Sequence, residues 1–457
     1  MHEIDDLLKK VKRIHFIGIG GSGMCPLAEI LFNEGYELSG SDNNETDTLA
    51  RIRNMGIPVH LGQRAENIEG AEMIVYTAAL LPDNPELVAA KNSGIPTFER
   101  ADLLGAVTRL YGNCICVCGT HGKTTVSSML TQIMLQCGKD PTAVIGGKLP
   151  LIQSNGRVGH TDNMVCEACE FKDTFLHLAP DVAVILNVDA DHLEYFKNIE
   201  NIIKSFRKFA EMTTKALIIN GDDANTLKAV EGLSGKEIIT FGLDKNNDYY
   251  ADNIEMVHAF AHFDVYRRGE KLCRAELKIP GKHNVYNTLA ALAAADYNGI
   301  DVCEAVKSAE QFGGACRRFE ILDKTDGLTI ADDYAHHPAE LKVTLESAMQ
   351  MGYKRVWAVF QPFTYSRTKK LMDDFAEVLQ IPDKCVMTEI MGSREVNTEG
   401  VYTSQLAEKI PGSVWFNTFE EVADYVLANA ESGDLIITLG CGDIYKAAKL
   451  MIKKLHA

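Results

Sequence analysis

Cys118-Gly119-Thr120-His121-Gly122-Lys123-Thr124-Thr125 sets a lysine and two hydroxyls directly behind a glycine turn. Between a strand and a helix such a turn is a phosphate cradle. Backbone N–H groups hold the phosphates, Lys123 reaches the β and γ oxygens, and a threonine hydroxyl ligates Mg²⁺. Val117 stands where the longer form of this motif has its first glycine, so the pattern is the shortened G-x-x-G-K-T, which favours ATP. A second turn, Gly18-Ile-Gly20-Gly21-Ser22-Gly23, follows the apolar run Ile14–Ile17 and fits G-x-G-x-x-G. Glycines there let the backbone turn tightly and approach a phosphate. Asp42 lies 19 residues past Gly23, where an acid can bind a ribose hydroxyl. The motif alone leaves a nicotinamide or flavin dinucleotide and a UDP-linked ligand equally open.

Further polar residues gather at the ends of apolar runs. Glu167 and Glu170 lie in Cys-Glu-Ala-Cys-Glu, and Asp189, Asp191 and His192 end the run Val182–Asn187. In an open parallel sheet ligands sit at the carboxyl ends of strands, which puts these groups near the phosphate loop if their strand neighbours it. Mg²⁺ prefers oxygen ligands, so Glu167 is a natural partner for it, whereas a histidine such as His192 is a less usual one. Asn284 and Asn287 precede an Ala-rich helix, where Asn284 serves either as a helix N-cap or as a nucleotide contact. Arg317 and Arg318 suit either a solvated surface or a phosphate clamp. Asp332-Asp333-Tyr334-Ala-His336-His337-Pro338 and Gln361-Pro-Phe-Thr-Tyr365-Ser-Arg367-Thr368 are two polar strand ends in one region, which favours a ligand-facing edge.

Short β-rich runs alternate with amphipathic stretches along the whole chain. The runs Ile14–Ile17, Met73–Tyr76, Ile115–Cys118, Val182–Asn187, Ala216–Ile219, Val356–Phe360 and Leu435–Leu439 read as strands. Ala28–Glu34, Val126–Gln136, Asn198–Glu211 and Pro338–Met351 read as helices. This alternation predicts α/β domains with mostly parallel sheets. The two glycine turns lie about 100 residues apart and suit two separate sheets, a third alternating set begins near 315, and 457 residues suit about three domains. The expected division is 1–101, 102–314 and 315–457. Residues 236–279 alternate polar and apolar in short strands, as an antiparallel insertion would.

With 46 basic and 63 acidic residues the net charge is −17, which argues against a nucleic-acid or membrane-surface partner. Anionic ligands would then need locally concentrated positive charge. No apolar run approaches the ~18 residues of a membrane span, and the first residues lack the basic start of a secretory signal. The 12 cysteines show no paired disulfide spacing, as expected in a reducing cytoplasm. Cys114, Cys116 and Cys118 fall on one face of their strand and read as small buried hydrophobes. Cys166 and Cys169 form a lone CxxC, so a zinc site is not expected.

Taken in order, these motifs resemble the Mur ligases, the ATP-dependent amide-forming enzymes of peptidoglycan synthesis. The stretches that carry the resemblance are His15–Met24, Gly119–Thr125, Asp189–His192, His283–Asn287, Arg317–Phe319, Asp332–Pro338 and Gln361–Thr368. It implies a Rossmann-like UDP-sugar domain, a central P-loop-type ATPase domain and a C-terminal Rossmann-like amino-acid domain, with domain closure assembling the site. The Gly-rich first motif points to the member that joins L-alanine to UDP-N-acetylmuramate through an acyl phosphate. The alternative is a relative that adds a murein tripeptide or another amino acid to the same sugar nucleotide. An NAD-dependent oxidoreductase would leave Gly119–Thr125 unexplained, and a regulatory P-loop ATPase would leave the third region's strand ends unexplained.

Position by position, the resemblance implies that Gly18, Gly20, Gly21, Ser22, Gly23, Met24, Ser41 and Asp42 hold the UDP part. Gly119, Thr120, His121, Gly122, Lys123, Thr124, Thr125, Asn284, Asn287, Arg318 and Asp333 would serve ATP, with Lys123 stabilising the transferring phosphoryl group. Thr124, Glu167 and His192 would ligate Mg²⁺. Tyr334, His336 and Arg367 would face the alanine, and His336 counts among the catalytic residues with Lys123, Glu167, His192, Arg318 and Asp333. The expected protein is a cytoplasmic monomer or homodimer. Four positions depart from or discriminate within the family. Cys169 replaces an Asp of its usual acidic stretch. Phe363 and Thr364 replace a His-Arg pair, removing a cation from the expected alanine pocket. Phe206 stands where sister ligases carry a modified lysine.

Overall fold

The computed structural model describes residues 3–393, 395–398 and 400–456. Three sheets carry the chain. The first consists of β1 (Arg13–Ile17), β2 (Glu37–Asp42), β3 (Val59–Leu61), β4 (Met73–Tyr76) and β5 (Thr97–Glu99), in the order β3-β2-β1-β4-β5. All its pairings are parallel. β1 therefore has β2 on one side and β4 on the other, so the chain reverses its winding there. The crevice at such a switch point is where open α/β sheets bind ligands. The Gly18–Gly23 turn leaves β1 at that point.

The second sheet has ten strands, β15-β14-β13-β12-β11-β10-β6-β9-β7-β8. Their ranges are β6 (Asn113–Cys118), β7 (Thr142–Leu149), β8 (Ser154–Arg157), β9 (Asn163–Glu167), β10 (Val182–Ile185), β11 (Ala216–Asn220), β12 (Glu237–Gly242), β13 (Tyr249–Val257), β14 (Phe260–Arg267) and β15 (Glu270–Pro280). β6 lies between β10 and β9, parallel to both. The phosphate-loop turn, Glu167 and the Asp189–His192 segment thus leave three adjacent strands at the same end. β10 stops at Ile185, two residues before its expected end, because Asn187 turns to bind the phosphate loop. The stretch 236–279 is only partly the expected insertion. β12 pairs in parallel with β11 and β13. β13, β14 and β15 then run through two-residue turns at His258-Ala259 and Arg268-Gly269, all four with positive φ, the geometry that matches hairpin twist.

The third sheet is β16-β17-β21-β18-β19-β20, built from β16 (Glu320–Thr325), β17 (Leu328–Asp333), β18 (Val356–Phe360), β19 (Lys384–Thr388), β20 (Val414–Phe416) and β21 (Leu435–Leu439). Only β16 pairs antiparallel. Alternate residues of β18 face opposite cores: Val356, Ala358 and Phe360 join one buried cluster, Trp357 and Val359 the other. Both faces are covered, which is why such strands read as unbroken apolar runs.

Three sheets form two compact units. One runs to Asp252 and adds Asp264–Arg274 and Val285–Ala309; the other comprises Asn253–Phe263, Ala275–Asn284 and the chain from Glu310. The first sheet and strands β6–β12 of the second share a unit, and a single buried cluster runs through both, from Ile4 and Phe16 to Phe206 and Val230, whereas β13–β15 are divided between the units. Cys114, Cys116 and Cys118 all point into that cluster and are fully buried. No described helix is long and apolar enough to cross a membrane.

Candidate active site

The first glycine turn is held from below. Gly18 has φ +85°, and a Cβ there would lie 2.6 Å from Thr77 Cγ2, so only glycine fits. The amides of Gly18 and Ile19 both donate to the Ser41 carbonyl, at 2.8 and 3.0 Å. Ser41 is fully buried, and its hydroxyl donates to Glu86 Oε2 at 2.7 Å. Glu86 in turn meets His15 Nε2 at 2.7 Å, and His15 Nδ1 meets the Ser39 hydroxyl at 2.8 Å. Ser41 and the buried Met24 therefore brace the turn rather than line its open side. Asp42 Oδ2 accepts the Gly20 amide at 3.0 Å, so this acid stands at the turn, as a ribose ligand must. Among the described residues the amides of Ser22 and Gly23 donate to nothing else. The following helix, Cys25–Asn33, begins with Pro26 near its start.

The phosphate loop leaves β6 with Gly119 at φ +144° and Gly122 at φ +88°. A Cβ on Gly122 would sit 2.5 Å from Asn287 Oδ1, which places Asn287 against the loop. Asn187 clamps the loop from β10: its carbonyl accepts the Thr120 amide at 3.1 Å. Its side chain accepts the His121 amide at 2.8 Å and donates to the His121 carbonyl at 3.0 Å. The Asp189 amide donates to Thr120 Oγ1 at 2.9 Å. The helix Lys123–Gln136 then begins, and the amides of Gly122, Lys123, Thr124 and Thr125 meet no acceptor among the described residues. Four such N–H groups at a helix start attract an anion.

Lys123 is not loose. Its Nζ donates to the carbonyls of Gly119 and Thr120 at 2.6 and 3.0 Å and pairs with Glu170 Oε2 at 2.8 Å. Burial alone would lower its pKa, but Glu170, joined by Cys169 and Glu167, more than offsets this and the pKa stays above the ordinary value. The cation is thus fixed and charged. Glu167 accepts the Thr124 hydroxyl at 3.2 Å, the Ser127 hydroxyl at 3.2 Å and the Gly146 amide at 2.8 Å. A Cβ on Gly146 would fall 2.2 Å from Glu167 Oε1, so the glycine makes room for this carboxylate. A hydroxyl beside a carboxylate is an oxygen donor set that fits Mg²⁺. Among the described residues no three His, Cys, Asp or Glu side chains could hold a metal alone. The His192 ring packs on Phe171 with centroids 4.6 Å apart. Phe206 is buried, edge-on to Phe175. Cys166 is buried and Cys169 exposed, and neither is in a disulfide.

The second unit has its own polar strand ends. Asp333 ends β17, and its carboxylate accepts the Phe319 and Ala335 amides, each at 2.7 Å. Burial raises its pKa to about 6 even with Arg318 opposing. Arg317 is committed to structure: Nε donates to Asp332 at 2.8 Å and Nη2 to the Gly440 carbonyl at 2.6 Å. Both arginine heads lie over the Tyr334 ring, at 5.1 and 5.2 Å from its centroid. His336 Nδ1 stands 3.1 Å from the Tyr334 carbonyl and 3.2 Å from Glu340 Oε2. Both are acceptors, so Nδ1 carries the proton and Nε2 keeps its lone pair. Burial lowers the His336 pKa, partly offset by Glu340 and reinforced by Arg367. Arg367 Nη1 is buried and has no hydrogen-bond partner among the described residues. Asn284 does not cap its helix: it lies inside His283–Tyr297 and donates to the Pro280 carbonyl at 2.8 Å.

Domain profiles of the Mur ligases match most of the chain. The family's catalytic domain matches 13–111, its middle domain 117–295, and its glutamate ligase domain 317–442. A UDP-N-acetylmuramate–L-alanine ligase of Caldanaerobacter subterraneus is 43% identical over 459 residues, with 99% of each chain covered. The chain belongs to the Mur ligase family. As a Mur ligase it is an ATP-using ligase. A second UDP-N-acetylmuramate–L-alanine ligase, of Acetivibrio thermocellus, is 43% identical over 97% of this Mur ligase and 96% of its own length. Among solved structures, a UDP-N-acetylmuramate–alanine ligase of Thermotoga maritima aligns with a TM-score of 0.84 at 26% identity, covering 97% of this chain and 99% of that one. A murein peptide ligase of Psychrobacter arcticus shares the fold at 23% identity and a TM-score of 0.75, covering 97% and 99%.

Sequence reasoning missed Glu170 as the holder of Lys123, Asn187 as the clamp of the loop, and Arg100, which lies beside Gly23. Only the spacing Glu167–Glu170 and the strand-end position of Asn187 hinted at the first two.

Proposed function

We propose that this Mur ligase joins L-alanine to UDP-N-acetylmuramate at the expense of ATP, as its relatives' names describe. The observation that carries the reading is one chain's pairing of two glycine turns with unbonded amides, Ser22-Gly23 and Gly122–Thr125, with an arginine, Arg367, whose buried Nη1 has no hydrogen-bond partner among the described residues. The proposed division of labour is 1–101 for the sugar nucleotide, 102–314 for ATP and 315–457 for the amino acid, in the cytoplasm.

A carboxylate resists amine attack because its oxygen is a poor leaving group. Transfer of the γ-phosphoryl group of ATP to the muramate carboxylate gives an acyl phosphate and ADP. The alanine amine attacks that carbonyl through a tetrahedral intermediate, the amide forms and phosphate leaves. The four amides at Gly122–Thr125 bind phosphate oxygens, and Lys123, held charged by Glu170, offsets the negative charge that builds on the moving group. Asn287, Asn284, Arg318 and Asp333 serve the nucleotide. Thr124 and Glu167, with His192, would hold Mg²⁺, which when bound neutralises phosphoryl charge. Arg367 binds the alanine carboxylate beside Tyr334. His336, kept neutral by burial with a lone pair on Nε2, accepts the proton released as the amide forms.

The test is phosphate release from ATP by the full chain. Release should need both UDP-N-acetylmuramate and L-alanine. Equal release without the sugar nucleotide would contradict the ligase reading.

A further inference from the structure

The first glycine turn has too few donors for a diphosphate. The Gly18 and Ile19 amides go to Ser41, Gly20 to Asp42 and Gly21 to Gly18, leaving the two amides of Ser22 and Gly23. Asp42 adds a negative charge at the turn itself. The net charge of −17 offers no general attraction either. Two N–H dipoles cannot balance two phosphates and a nearby carboxylate, so a cation must stand at this spot.

One does. Arg100 opens the helix Arg100–Thr108 at the carboxyl end of β5. Its side chain runs beside the turn: a Cβ on Gly23 would lie 3.0 Å from Arg100 Cδ, 3.2 Å from Nε and 3.4 Å from Nη1. Gly23 thus leaves the space that the arginine fills. Neighbouring side chains engage each other instead. Glu99 and Asp102 close a capping box, and Asp102 also pairs with His177. Among the described residues the Arg100 guanidinium makes no ion pair and no hydrogen bond. The Asn155 amide group fixes the turn from outside by donating to the Ser22 carbonyl at 2.6 Å, which turns the Gly23 N–H of the same peptide group to the opposite side.

We propose that Arg100 clamps the diphosphate of the sugar nucleotide, completing an anion site with the Ser22 and Gly23 amides. A planar guanidinium presents paired N–H donors to phosphate oxygens, which a lysine cannot reproduce. The clamp rests on the reading of the Gly18–Gly23 turn as the UDP-sugar site. It assigns Arg100 to the phosphates and not to the uracil or the sugar, and so predicts a selective defect.

The experiment compares UDP and uridine binding to the full chain by calorimetry, with uridine also measured by competition. Arg100→Ala should weaken UDP about 10- to 100-fold, the scale of a lost charge-assisted pair, while uridine stays within twofold. Arg100→Lys should recover part of the UDP affinity. The KM for UDP-N-acetylmuramate should rise while the KM for ATP holds. If UDP and uridine weaken by the same factor, Arg100 merely supports the fold and the clamp is overturned; unchanged UDP affinity overturns it too. Asp42→Ala separates the two ideas. If it weakens UDP and Arg100→Ala does not, only the clamp fails. If neither variant weakens UDP, the turn is not the sugar-nucleotide site and both readings fall. Should Arg100→Ala unfold, Arg100→Lys decides: the clamp requires its UDP-to-uridine ratio to fall at least threefold.

Discussion

Arg367 gives the sharpest prediction about the amino acid. Its Nη1 is buried with no hydrogen-bond partner among the described residues. A buried unpaired donor costs the protein about 1–3 kcal/mol, and a carboxylate arriving there removes that cost. A hydrogen bond to a charged group contributes about 1.5–3 kcal/mol. At about 1.4 kcal/mol per factor of ten, Arg367→Ala should raise the KM for L-alanine roughly 10- to 150-fold. The free protein loses an unsatisfied group, so its melting temperature should not fall. This pairing is unusual, since most losses of a binding residue on a packed element also destabilise. Steady-state kinetics with each substrate varied in turn, plus a thermal melt, would read both effects. The KM values for ATP and UDP-N-acetylmuramate should stay within twofold. An unchanged KM for alanine, or a rise shared by all three substrates, would refute the assignment.

Other consequences are as concrete. Lys123→Ala should cut phosphate release by roughly 10³-fold or more, the scale for removing a cation from a transferring phosphoryl group, with UDP affinity within twofold; calorimetry showing lost UDP affinity would contradict the division between the two glycine turns. Thr364, which has no side-chain cap bond, sits at φ +61°, ψ +143°, a conformation hostile to a β-branched residue. Strain of about 1–3 kcal/mol against a glycine entropy cost of about 0.5–1 kcal/mol predicts that Thr364→Gly leaves stability equal or higher by up to about 2 kcal/mol, and a clear drop in a urea midpoint would count against it. Asp333 has its folded pKa raised from 3.8 to about 6. Its contribution to stability is therefore full below pH 3.8 and is lost as pH rises through about 6, by up to about 3 kcal/mol at 1.36 kcal/mol per unit. Asp333→Asn loses a bond at every pH, but its stability relative to the parent should improve from pH 5 to pH 8; a constant difference would refute the assigned shift.

The parts legible in the sequence are those with local causes. Glycines between a strand and a helix announce a turn wherever it folds, so Gly18–Gly23 and Gly119–Thr125 are readable from residue order alone. The alternation of β18 or β21 with amphipathic helices likewise marks the α/β class. What stayed hidden depends on pairing across long sequence gaps. Glu170 meets Lys123 across 47 residues, Asn187 meets His121 across 66, and Glu86 meets His15 across 71. Nothing local marks those partners. Ser41 shows the same limit from the other side: the family resemblance implied a ligand contact, while burial turned its hydroxyl to Glu86. The two-unit division was also invisible, because it arises from side chains of two sheets meeting in one cluster.

The central claim is tested most directly by one assay. The full chain would be given ATP, Mg²⁺ and UDP-N-acetylmuramate with L-alanine, glycine, L-serine or a murein tripeptide in turn, and the coupled product identified by mass. The account predicts a UDP-N-acetylmuramoyl-alanine amide, formed with the highest kcat/KM from L-alanine and with one phosphate released per amide. A preference for the tripeptide, or phosphate release with no amide formed, would contradict it.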